Sequence, residues 1–159
     1  MPTNVQNQQV LRAASGYQVV RTSSLVAQSL TSMFTITGGR IYVNALYAKL
    51  TIASDASAAT SIVVGFTASE GAGANIANAI ATATVVGVVR EIGTHWTVAA
   101  LASALTLGAT AATPVPKTTS FLLGPGVITY TGSVGVNPAS AQWYLNYLPL
   151  DPGVNVVAN

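Results

Sequence analysis

Hydrophobic and polar side chains alternate along short segments from Tyr17 towards the end of the chain, and this period of two predicts half-buried β-strands. The longest such segment covers residues 40–53 and has one apolar face and one polar or aromatic face. The apolar face comprises Leu46, Ala48, Leu50 and Ile52, and the opposite face comprises Tyr47, Lys49 and Thr51. Each face of this strand is therefore expected to meet a different environment.

Residues 141–148 repeat this alternation, with Trp143, Leu145 and Tyr147 on one face and Gln142, Tyr144, Asn146 and Leu148 on the other. Shorter strands are predicted at residues 17–22, 32–37, 60–68, 120–123 and 127–131. Gly38-Gly39 predicts a hairpin-type turn, Gly124-Pro125-Gly126 a tight turn, and residues 69–75 a glycine-rich loop. Short strands between recurrent turns predict an all-β chain, a single antiparallel β-sandwich of jelly-roll type over residues 17–159.

Residues 76–107 have no single dominant pattern. Val85–Val89 is typical of a strand, whereas the alanines and leucines of residues 96–105 are compatible with a short helix. The sequence therefore predicts at most one short helix, near residues 96–107. Residues 111–117 contain two prolines and predict a loop.

Residues 1–16 form a polar, amide-rich segment that includes the run Gln6-Asn7-Gln8-Gln9. It is interpreted either as a disordered tail or as an extended N-terminal arm that becomes ordered on a neighbouring subunit. Apolar anchors and cations that could meet an acidic partner surface are the candidate contact residues. They are Val5, Val10, Leu11, Arg12 and Arg21.

Charged residues are scarce: the chain has six Lys and Arg, four Asp and Glu, one His and no Cys, while 50% of it is hydrophobic. Enzymes need ionisable groups for proton transfer and ligation, so this inventory favours a structural or binding protein without cofactor or metal. The pI near 9.2 does not indicate nucleic-acid binding, because the cations are dispersed rather than clustered. No apolar run approaches the length of a membrane span, and the N-terminus does not resemble a signal peptide.

The individual candidates for chemistry each favour a structural interpretation. His95 lies four residues after Glu91, but no nucleophile elbow accompanies them, so a loop or surface histidine is expected. Asp55 and Asp151 lie in turn sequences where a carboxylate commonly caps its own backbone. Gly71-Ala-Gly73 lacks the third glycine of a dinucleotide fingerprint. No catalytic residue is therefore assigned.

The eight tyrosines and tryptophans are open to two interpretations. Their positions in predicted strands favour core and subunit-interface roles, and a carbohydrate-binding or base-stacking surface is the alternative. They are Tyr17, Tyr42, Tyr47, Trp96, Tyr130, Trp143, Tyr144 and Tyr147.

Two stretches resemble a family of small virion structural proteins of tailed bacteriophages. The first is residues 35–51, where Thr37-Gly38-Gly39 precedes a strand ending in Ala48-Lys49-Leu50-Thr51. The second joins residues 123–130, with Gly124-Pro-Gly-Val-Ile128, to residues 142–158, with Trp143-Tyr-Leu-Asn-Tyr-Leu-Pro-Leu-Asp-Pro-Gly153. The resemblance spans residues 34–158 and is loose between residues 69 and 118.

The resemblance implies a capsid decoration (cement) protein that binds the outer surface of an icosahedral phage head and stabilises it. It further implies a homotrimer, the major capsid protein as partner, and a position on the capsid exterior after synthesis in the bacterial host cytoplasm. The alternatives are a phage tail or fibre component, or a carbohydrate-binding β-sandwich module.

Overall fold

A computed structural model of the chain describes residues 16–24, 30–52, 61–70, 74–81, 95–97, 106–108, 120–132 and 140–159. All regular secondary structure within these ranges is β, as the alternating pattern predicts. The strands are β1 (Tyr17–Ser24), β2 (Leu30–Thr37), β3 (Ile41–Ile52), β4 (Ser61–Ala68), β5 (Ala74–Ala81), β6 (His95–Thr97), β7 (Thr106–Gly108), β8 (Phe121–Leu123), β9 (Gly126–Gly132), β10 (Ser140–Pro149) and β11 (Asn155–Ala158).

The strands form two antiparallel sheets. The first sheet has the order β1-β10-β3-β6-β7, and β8 pairs with another part of β3. The second sheet has the order β11-β2-β9-β4-β5. Two antiparallel sheets that enclose a common core confirm the predicted all-β, sandwich-like architecture.

The core lies between the sheets, because each long strand turns its apolar residues inward. Leu46, Ala48 and Leu50 of β3 are buried, as is the Trp143, Leu145 and Tyr147 face of β10. Tyr130 from the second sheet stacks on Trp143 from the first, with ring centroids 6.0 Å apart. The alternation predicted for both strands is confirmed, except that Ile52 ends its strand half exposed.

A β-bulge in β3 changes which residues face the core. Asn146 pairs with Ala45 and Tyr147 pairs with Val43, so Asn44 is an extra residue opposite β10. Before the bulge the odd-numbered Ile41 and Val43 are buried, and after it the even-numbered residues from Leu46 are buried. Because of the bulge, the apolar residues in both halves of β3 face the same core.

Two local predictions are corrected by the topology, and one open alternative is answered in part. The Gly38-Gly39 turn is not a hairpin, because β2 belongs to the second sheet and β3 to the first. The sequence left strand and helix open near residues 96–107, where Trp96 and Thr97 lie in β6 and Thr106 begins β7, while residues 98–105 lie outside the described residues. The loop predicted at 69–75 ends earlier, because β5 begins at Ala74. The predicted strand at 85–89 and the loop at 111–117 lie outside the described residues.

Candidate functional site

Of the five candidate contact residues, the structure describes Arg21 alone; Val5, Val10, Leu11 and Arg12 lie outside the described residues, as does the predicted arm except Gly16. Arg21 lies in β1, opposite Trp143 in the register of the first sheet. Its Nε donates a hydrogen bond to the carbonyl oxygen of Asn159, which follows β11 of the second sheet. Arg21 therefore ties the edge strand of one sheet to that of the other.

The candidates for catalysis do not come together among the described residues. His95 lies in a strand rather than a loop, and its backbone pairs with Lys49 and Gly108. Glu91, Asp55 and residues 71–73 lie outside the described residues. No group of His, Asp and Glu suited to a metal ion occurs in the described part of the chain. Within the same ranges, no helix is long and apolar enough to cross a membrane.

The aromatic residues divide into an interior and an exterior set. Tyr130, Trp143 and Tyr147 are buried in the core. Tyr47 and Tyr144 lie on the outer face of the first sheet, directly opposite each other in the register of β3 and β10. Their rings stack with centroids 4.7 Å apart and planes within 8° of parallel. The outer face of the first sheet thus carries a tyrosine stack, while Tyr17, which is 43% exposed, stacks on the buried Tyr147 at 5.7 Å.

We call this surface the tyrosine–amide face and define it by six residues on three adjacent strands. They are Gln18 of β1, Gln142, Tyr144 and Asn146 of β10, and Tyr47 and Lys49 of β3. The inward-facing residues of the same strands, such as Leu46 and Leu145, are fully buried. The alternation of each strand therefore forces these six side chains outward.

Four side chains of the tyrosine–amide face are hydrogen-bonded in two pairs. Gln18 Nε2 donates to Asn146 Oδ1 at 2.9 Å, and the Tyr144 hydroxyl donates to Gln142 Oε1 at 2.6 Å. The pKa of Tyr47 is raised, mainly by partial burial and secondarily by Tyr144, while a side-chain hydrogen bond with Gln18 opposes the rise. Tyr47 therefore stays a neutral phenol around neutral pH and adds no charge to the face.

A second cluster links two turns at one end of the sandwich. The backbone N–H of Arg40 and its Nε donate to Asp151 Oδ2 at 2.8 and 2.9 Å, and Nη2 donates to Oδ1 at 2.8 Å. The side-chain and backbone hydrogen bonds from Arg40 lower the pKa of Asp151 to about 2. Asp151 therefore caps the turn before β3, in contrast to the predicted capping of its own backbone.

The same two turns approach each other at two glycines. Gly38 has φ +77°, and a Cβ there would lie 2.2 Å from the carbonyl oxygen of Gly153. Gly39 has φ +152°, and a Cβ there would lie 2.6 Å from Cβ of Asp151. Leu150 also donates its backbone N–H to the Arg40 carbonyl at 2.9 Å. This interlocked pair of turns has a structural role, since Arg40 and Asp151 bond to each other and Leu150 bonds to Arg40 within the chain.

The sequence patterns identified most residues of the tyrosine–amide face, but they did not show which strands lie side by side. The alternation in β3 and β10 placed Tyr47 and Lys49 on one outer face and Gln142, Tyr144 and Asn146 on another. It did not show that the two faces adjoin, because strand pairing between residues about a hundred positions apart has no local signal. Gln18 was missed for the same reason. Comparison of the chain with family models, with curated proteins and with solved structures finds no match.

Proposed function

We propose that the chain is a non-enzymatic decoration (cement) protein that binds the outer surface of a tailed-phage icosahedral head and stabilises it. The proposal starts from the resemblance of residues 34–158 to small virion structural proteins. Its principal structural support is that the two stretches carrying this resemblance, although far apart in sequence, are neighbours in the fold.

The first stretch supplies β3 and the end of β2, and the second supplies β9, β10 and β11. β3 pairs with β10 in the first sheet, and β2 lies between β9 and β11 in the second. The Thr37-Gly38-Gly39 turn of one stretch packs on the Asp151-Pro-Gly153 turn of the other, and Arg40 binds Asp151. The resembling residues thus make up one contiguous unit, which is expected if they specify a shared fold.

We further propose that the sandwich is of the jelly-roll type. In a jelly roll, eight strands form two sheets whose orders are first–eighth–third–sixth and second–seventh–fourth–fifth. The orders β1-β10-β3-β6 and β2-β9-β4-β5 match this scheme when β7, β8 and β11 are treated as additions. The crossing of the chain between sheets at Gly38-Gly39 and at Gly124-Pro125 supports the same topology.

In the virion the protein is proposed to be a homotrimer bound to the major capsid protein on the capsid exterior. With so few charged residues, a monomer would expose a largely uncharged surface, which favours association. Residues 1–16 are proposed to act as an arm that crosses to an adjacent subunit or to the capsid protein. Val5, Val10, Leu11 and Arg12 are its proposed contact residues.

Locating the protein in purified phage particles tests this function. Density distributed over the icosahedral shell, with occupancy near its threefold positions, is the expected result of cryo-electron microscopy. Density confined to the tail would support the tail or fibre alternative and contradict the proposal. Particles stripped of the protein are expected to lose DNA at a lower temperature than decorated particles, and to regain stability when it is added back.

The arm has its own test, the deletion of residues 2–14. The shortened chain is expected to fold, because β1 begins at Tyr17, but to leave capsids on mild heating that full-length protein survives. A substitution of Arg12→Ala in the intact chain serves as the milder variant, since one exposed ion pair contributes little. If the shortened protein decorates and stabilises particles as well as the full chain does, the arm has no tethering role.

A carbohydrate-binding module is the second candidate, and the tyrosine–amide face is the observation that favours it. Aromatic rings together with amide groups are the chemistry that proteins use to bind sugars. A glycan array probed with the purified protein tests this candidate. Binding that is abolished by Tyr47→Ala or Tyr144→Ala would favour it over the decoration role.

A further inference from the structure

The tyrosine–amide face combines apolar character with almost no charge. Lys49 is its one Lys, Arg, Asp or Glu, and it lies at one end of the face beside Gln142 in the register. Val20 extends the face along the edge strand β1 and is 37% exposed. Aromatic residues are enriched and charged residues depleted at the centre of protein–protein interfaces, so this composition is that of an interface centre.

The hydrogen bonds within the face lower the cost of covering it. Burying a polar group without a partner is unfavourable, because its hydrogen bonds to water are lost and not replaced. Here the amides of Gln18 and Asn146 bond to each other, and Tyr144 bonds to Gln142. A partner can therefore exclude water from these groups without leaving the bonded atoms unsatisfied.

The same geometry disfavours a sugar as the occupant. A sugar ring packs on an open aromatic face and exchanges hydrogen bonds with free amide groups. Tyr47 and Tyr144 instead cover one face of each other at 4.7 Å. One amide donor, Gln18 Nε2, and two amide acceptors, Asn146 Oδ1 and Gln142 Oε1, are already bonded within the face. The surface is better suited to burial against another protein than to recognition of a small polar ligand.

Charge points to a second copy of the chain as the partner. Two copies of a strongly charged surface repel each other, and a binding face of that kind needs a partner of opposite charge. The tyrosine–amide face has a single cation at its margin, so two copies can approach without a central like-charge contact.

We propose that the tyrosine–amide face is a self-association surface, on which a second copy of this chain packs around the Tyr47–Tyr144 stack. A contact of this face with the same face of a second copy is isologous and joins two chains, so the inference rests on the proposed function only for self-association and not for its threefold geometry. Because self-association is measured without a capsid, its failure and the failure of capsid binding are separate results.

Two matched lysine substitutions test the proposal. Tyr144→Lys places a charge at the centre of the face, whereas Thr67→Lys places the same charge on the exposed outer side of β4 in the second sheet. The molecular mass of the purified chains is measured by light scattering and sedimentation velocity at micromolar concentration. Wild type and Thr67→Lys are expected to give a multiple of 16.1 kDa, and Tyr144→Lys is expected to associate at least tenfold more weakly.

Val20→Lys guards against misfolding, because it leaves both rings of the Tyr47–Tyr144 stack in place and adds its charge at an already exposed position. It is expected to weaken association as well, while circular dichroism and the thermal transition stay those of wild type. A multimer that both Tyr144→Lys and Val20→Lys leave intact would overturn the assignment of this face and leave the homo-oligomer standing. A monomeric wild type would overturn both. A glycan that binds wild type and is lost in Tyr144→Lys would overturn the assignment of this face alone.

Discussion

The two faces of β10 differ in what their side chains contact, although they share one backbone. Trp143, Leu145 and Tyr147 are buried between the sheets, and Trp143 stacks on Tyr130 from the opposite sheet. Gln142, Tyr144 and Asn146 face outward, and their hydrogen bonds to each other and to Gln18, and the stack on Tyr47, stay within their own sheet. The inner face therefore holds the two sheets together, whereas the outer face organises a surface within one sheet.

Aromatic residues at adjacent positions of one strand therefore contribute differently to the free energy of unfolding. An aromatic side chain on the inner face removes a large apolar area from water and leaves a cavity when truncated. On the outer face an aromatic ring loses only a stacking contact and part of its burial. Substitutions at positions 143 and 144 are thus the most direct way to separate folding from surface function.

Trp143→Ala is expected to have the largest effect, a loss of roughly 3–5 kcal/mol in the free energy of unfolding. The side chain is fully buried and its removal also takes away the stack on Tyr130. Urea unfolding followed by circular dichroism measures the change. Tyr144→Ala is the control on the same strand, and a loss equal to that of Trp143→Ala would contradict the division between the two faces.

Gly38→Ala tests whether the turn that connects the two sheets tolerates a change in side-chain size as poorly as the core between them does. A left-handed backbone costs an L-residue about 1–2 kcal/mol, and the new Cβ would also meet the carbonyl oxygen of Gly153. The matched control is Gly153→Ala, which has φ +84° but no atom near the added Cβ.

We expect Gly153→Ala to show the conformational cost alone and Gly38→Ala to exceed it, when both are measured by urea unfolding. Equal losses in the two variants would mean that the turns move apart at little cost. The contact between the turns would then contribute little to holding the sheets together.

Tyr144→Phe isolates the hydroxyl of the outer face. It keeps the ring stack on Tyr47 and removes the hydrogen bond to Gln142, so we expect a loss of about 0.5–1.5 kcal/mol in unfolding free energy. The partner variant Gln142→Ala removes the same bond from the other side. A double variant that loses no more than either single variant would identify this bond as the shared cause, whereas fully additive losses would contradict it.

The smallest expected effect concerns the Arg40–Asp151 pair, which is 67% and 29% exposed at its two side chains. The pKa of Asp151 falls from 3.8 to about 2 on folding because Arg40 donates to the carboxylate. The stabilisation is therefore fully present above about pH 4 and is lost as the pH falls towards 2.

Thermal unfolding of wild type and Asp151→Asn between pH 2 and pH 6 measures this linkage. We expect wild type to be the more stable above pH 4 and the difference to shrink as the carboxylate is protonated. A stability difference that stays constant over this pH range would show that the charge of Asp151 does not contribute to the stability of the fold.

Local pattern predicted the strands well, because a side chain's face depends only on its position along an extended backbone. It predicted β3 and β10 with their inner and outer faces, and it placed the strands that begin near Tyr17, Ser32 and residue 60. It did worse where several structures suit one composition, as for Trp96 and Thr97, whose surroundings left strand and helix open. Pairing with β3, which is remote in sequence, made these residues a strand.

The sequence by itself determined that this protein is all-β, that it has few groups for catalysis, and which residues of its long strands are apolar. Tertiary structure decided that Gly38-Gly39 joins two sheets, that Asn44 is a bulge, and that Tyr47 meets Tyr144. It also decided that Asp151 caps a turn 111 residues away. The physical reason is that alternation is a property of neighbouring residues. Pairing, register and capping depend instead on which distant strands pack together and exclude water.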